Sequence, residues 1–189
     1  MTEAGSPARR SGPPAWFLLI AVGSLAVGAL LVLLSLLGVG VGVGPAPAAT
    51  IAPAGPTAER TRDLVRKTLE AASFQVQDPQ TPYRPGESAA LVTVPRLLLQ
   101  AVLPSDPQHG YIVIYELSSD SEAAQVGRDF RAYLASGTGA IQYPRDAQFV
   151  LQQVGSTLVF YTWSPSVSPD PEVARLAATL ETIGTTVQP

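Results

Sequence analysis

Between Arg10 and Glu59 the chain carries no charged side chain. Three charged residues (Glu3, Arg9 and Arg10) precede this gap and 24 follow it. A span that lacks charge over such a length must cross a bilayer or be buried on every side. The chain therefore reads as a short cytoplasmic tail (1–14), a transmembrane segment (15–43), a linker (44–57) and a domain of ordinary charge (58–187).

The best helical part of the apolar span is Trp16 to Leu37. Those 22 residues rise about 33 Å, which matches a bilayer core of ~30 Å. The expected lipid contact is thus residues 16–37. Trp16 sits where an interfacial aromatic belongs, and Arg9 and Arg10 are the only cations near either flank. Positive-inside logic places the N-terminus in the cytoplasm and the large domain outside. The competing expectation is a cleaved signal peptide, with a small-residue site at Ala46-Pro47-Ala48. Its h-region would far exceed the usual length of about 7–15 residues. Within the span, Ser24 and Gly28 form a small-xxx-small pair that would let two helices pack closely. The linker holds four prolines and no charge, the composition of an extended spacer.

Absent residue types exclude whole classes of chemistry. With no Cys there is no disulfide, no thiol nucleophile, no thiolate metal site and no acylated lipoprotein anchor. One His cannot build a His-based metal cluster. Residues 59–189 carry 10 basic and 14 acidic side chains, a net of −4, which argues against nucleic acid as a partner. No cofactor motif is present. Gly38–Gly44 is not a phosphate loop, because no Lys-Ser/Thr pair follows it.

The periodicity of the domain predicts α, short β, β, β, α, β, β, α. Thr57 is the expected cap of a first helix over 58–73. Residues 91–103 fit a helix or a strand. The apolar run bounded by Pro95 and Pro104 favours a strand. Tyr111–Leu117 is the clearest strand. Ser119 and Glu122 form a capping box for a helix that Gly137 should end. Ala147–Val154 and Thr157–Trp163 should form a hairpin through Gly155-Ser156. Asp170 and Pro171 should start a final helix. These elements predict an α+β domain of two layers. An antiparallel sheet built of two ββα-like units would carry its helices on one face.

His109, three residues after Asp106, suggests a base with an orienting carboxylate. No nucleophile motif accompanies it, so no catalytic and no metal-binding residue is assigned. Five loop residues do not fit a bland surface: Tyr83, Arg84, His109, Tyr143 and Arg145. Aromatics beside Arg are favoured in binding surfaces. Trp163 is expected to close the core. The chain is thus expected to be a single-pass membrane protein presenting a non-catalytic domain to an unknown protein or small molecule outside the membrane. Two alternatives are a secreted enzyme released by cleavage near Ala48, and an accessory subunit that works through its transmembrane helix.

Overall fold

A computed structural model describes residues 52–107 and 109–188. The tail, the expected membrane segment with Ser24 and Gly28, and the linker as far as Ile51 lie outside these residues. The chain divides into two units, Met1–Ala48 and Ala49–Pro189, and all described residues belong to the second. Among the described residues, no helix is long and apolar enough to cross a membrane.

The elements are α1 (Pro56–Ala71), β1 (Val76–Gln77), β2 (Arg96–Ala101), β3 (Tyr111–Glu116), α2 (Asp120–Ala135), α3 (Gly137–Ala140), β4 (Gln148–Val154), β5 (Thr157–Trp163), α4 (Glu172–Leu180) and β6 (Thr185–Thr186). The strands form one antiparallel sheet in the order β1-β2-β3-β5-β4-β6. The fold is α+β. The ambiguous stretch after Leu91 supplies β2, a strand. The hairpins β2–β3 and β4–β5 are each followed by a helix, and β3 pairs with β5 at the centre.

One expectation about the layers fails. Helices cover both faces of the sheet, so the domain has three layers. Leu99, Ile112, Ile114, Val150, Val159 and Tyr161 pack with Val65 and Leu69 of α1 and with Leu176 and Leu180 of α4. The opposite residues of the same strands, Val113, Tyr115, Leu151, Leu158 and Phe160, pack with Ala123, Phe130 and Leu134 of α2. The cause is visible in β3. Ile112-Val113-Ile114-Tyr115 is apolar at every position, the pattern of a strand buried on both sides. The two units consequently send their helices to opposite faces.

Two helix ends also differ from expectation. Thr57 lies inside α1, which starts with Pro56 in its first turn and has no side-chain cap of its own. The carboxylate of Glu116, at the end of β3, accepts the backbone N–H groups of Gly55 and Thr57 instead. A residue remote in sequence thus satisfies donors that a helix start leaves open. At the other site, Gly137 does not end the chain's helical path. Helix α2 stops at Ala135, Ser136 is extended, and Gly137 opens the short α3. The start of α2 follows the sequence, since the Ser119 side chain accepts from Glu122 N.

Candidate functional site

Four loops meet at the end of the sheet where β2 and β5 finish and β3 and β4 begin. They are 78–95, 102–110, 141–147 and 164–171. Together with the end of β5 they line a cleft of about 270 Å³. Tyr83, Arg84, His109 and Tyr143, singled out separately by sequence, all line it. Trp163 lines it too and also packs against the α1/α4 core, stacked on Tyr161 at 5.6 Å. Arg145 is exposed on the same loop as Tyr143 but is not part of the lining. Gln142, Thr162, Ser164, Val167 and Ser168 complete much of the wall. Sequence reasoning missed them, although Gln142 adjoins Tyr143 and Thr162 and Ser164 flank Trp163.

Each loop is held by bonds that can be named. Tyr143 donates its hydroxyl to Gly86 O at 2.5 Å, joining the 141–147 loop to the 78–95 loop. Ser164 donates to Asp146 Oδ1 at 2.6 Å, and Ser166 N donates to Asp146 Oδ2 at 2.8 Å. These bonds, led by that from Ser164, hold the Asp146 carboxyl below its ordinary value. Asp170 takes Ser105 N at 2.7 Å and Glu172 N at 2.8 Å, so one carboxylate caps α4 and ties down the His109 loop. Gln100 donates its amide to Pro107 O and His109 O, at 3.0 and 3.2 Å. A cleft pinned at so many points is organised before a ligand arrives.

The charges at the cleft are committed. Glu87 is buried, with a side chain 2% exposed. It accepts from Arg84 Nε at 2.8 Å, from Arg96, and from the Tyr115 hydroxyl at 2.8 Å. Asp106 is also buried. Its Oδ1 meets His109 Nδ1 at 2.5 Å, and its Oδ2 accepts from Ser168. The carboxylate fixes the imidazole so that Nε2 is the nitrogen available to a ligand. Ser168 bonds to Asp106 and not to His109, so the three residues are not wired as a nucleophilic triad. Tyr83 stacks on Tyr111 at 4.4 Å and 6°. Burial, helped by Tyr111, pushes its hydroxyl up to about 12, and burial raises Tyr143 as well. At neutral pH both are donors, not bases.

Among the described residues, no group of three or more His, Asp or Glu could hold a metal ion. Of the three exposed large hydrophobics among them, one lines this cleft and a second adjoins a lining residue in sequence. Val167 (51%) lines it, and Ile141 (83%) adjoins Gln142. No family model matches the chain, and no curated protein or solved structure matches it.

Proposed function

We propose that the chain is a single-pass membrane protein whose extracytoplasmic α+β domain binds a ligand in this cleft without transforming it. The anchor is supported by the charge-free run from Ala15 to Val43 and by the basic flank at Arg9 and Arg10. The binding role is carried by one observation: Tyr83, Arg84, His109 and Tyr143, from three loops, and Trp163, from the end of β5, converge on one pinned cleft. Concave, aromatic-lined sites with a few fixed polar groups are where small ligands bind. The absence of catalysis is supported by the Ser168 bond, which gives that hydroxyl to Asp106 and not to His109.

The first test is the intact mass of the native protein in separated membrane and soluble fractions. Full-length mass in the membrane fraction is the expected result. A soluble species that begins near Ala48 would replace the anchor by a cleaved signal. The second reading, an enzyme, has the Asp106–His109 contact in its favour, since an oriented imidazole is what a general base requires. It predicts turnover in a substrate screen that His109→Ala abolishes, whereas the binding reading predicts no turnover.

A further inference from the structure

We propose that the cleft takes one ring of a neutral saccharide, an inference that rests on the binding reading above. Charge argues first. Arg84 is paired with Glu87 and His109 with Asp106, and both carboxylates are buried with further donors on them. The lining therefore offers an ionic ligand no uncompensated charge to repay its lost hydration. The ligand is therefore neutral.

The polar groups argue next. The hydroxyl protons of Tyr143, Thr162, Ser164 and Ser168 are all given to protein acceptors: Gly86 O, Gln148 O, Asp146 and Asp106. Toward the cleft these oxygens can only accept. Donors come from the Gln142 amide, the Trp163 indole N–H and the Arg84 guanidinium. A matching ligand must present donors and acceptors around its edge. A hydrocarbon would strip water from these groups and return nothing. A proline-rich peptide offers carbonyl acceptors but few donors, so the hydroxyl oxygens would stay unpaired. A sugar ring carries hydroxyls that do both, and its C–H groups suit a lining that includes the aromatic side chains of Tyr83, Tyr143 and Trp163. The volume of about 270 Å³ lies just below the range of about 300–1,000 Å³ typical of small-molecule pockets, so the ligand is ring-sized.

The experiment uses the full chain in a non-glycosidic detergent, with Trp16→Phe so that Trp163 is the sole indole. Its emission is followed during titration with cellotriose, maltotriose and tri-N-acetylchitotriose, then with trigalacturonate, decaproline and adenosine. The expected result is saturable change with at least one neutral trisaccharide, and binding of trigalacturonate weaker by about tenfold or more. Gln142→Ala, on an exposed loop, should weaken the neutral sugar by about tenfold while the circular dichroism spectrum stays unchanged. Saturation by decaproline or adenosine, with no response to any neutral sugar, would overturn the saccharide and leave the binding reading standing. No saturable change with any probe would overturn both. A sugar whose affinity is untouched by both Gln142→Ala and His109→Ala binds elsewhere, and that too would end the proposal.

Discussion

Gly110 shows how much a single position can carry. Its φ is +87°, and a Cβ there would lie 2.3 Å from Ala101 O, the end of the neighbouring strand. Gly110 O also accepts from Ala101 N at 2.9 Å. Any side chain must push β2 and β3 apart just where His109 is placed. Gly110→Ala should cost about 2–3 kcal/mol, read as a lower denaturation midpoint at unchanged m. Tyr83 gives a prediction of a different kind. Its folded pKa of about 12 lies above the ordinary value of 10. Stability from its protonated form is complete below pH ~10 and is lost as pH rises through about 12. Burial raises Tyr115, Tyr143 and Tyr161 in the same direction. The thermal midpoint should therefore fall steeply above pH ~10, with tyrosinate absorbance appearing together with unfolding. Four of the five loop residues that the sequence singled out line the cleft, and they stood out because aromatic rings, His and Arg in loops near Pro and Gly have no evident role in the core. Ser164 and Ser168 were not, because a buried serine looks like any loop serine until its acceptor is known. Only the fold brings Asp146 to one and Asp106 to the other.

Among the elements, α2 is the one the sequence describes most fully. Its cap, its start and its stripe of Ala123, Gly127, Phe130 and Leu134 are all local facts. Phe130 meets Phe160 at 5.0 Å and Tyr115 at 6.5 Å, so the stripe also joins α2 to both central strands. Phe130→Ala should cost about 3–5 kcal/mol. Helix α1 was harder to bound because the group that serves its start comes from β3. Glu116→Ala leaves the N–H groups of Gly55 and Thr57 without that carboxylate and should cost about 1–2 kcal/mol. Glu116→Gln, which keeps an acceptor, should recover part of this in the same denaturation measurement. The buried stripe of α1 likewise shifted. Leu64, one of the apolar residues in the sequence pattern of this helix, is 43% exposed, while Thr61 is buried and meets Thr157 at 2.9 Å. A hydroxyl pair across elements carries no apolar signal, so a hydrophobic pattern passes over it.

For the domain, the order of the longer strands and helices was readable from periodicity and turns, but the short α3, the edge strand β6 and the number of layers were not. Local pattern says that a strand is apolar; it does not say which helix lies above and which below. The unbroken apolar run of β3 held that information, since a sheet open to water on one face alternates. Burial on both faces also makes the centre of the sheet the last part to open. Amides of β3 and β5 should exchange at the global unfolding rate, while those of β1 and β6, two residues each at the sheet edges, exchange by local fraying. Hydrogen exchange followed by mass spectrometry checks this directly.

The Glu116 contact has a mechanical consequence. A pull arriving along the N-terminal segment reaches the domain at Gly55 and Thr57, and the carboxylate of Glu116 passes it to β3. That strand is flanked by β2 and β5 and clamped between helices on both sides. Traction thus reaches a central strand as well as α1, and it enters that strand at Glu116, the end away from Tyr111 and the cleft.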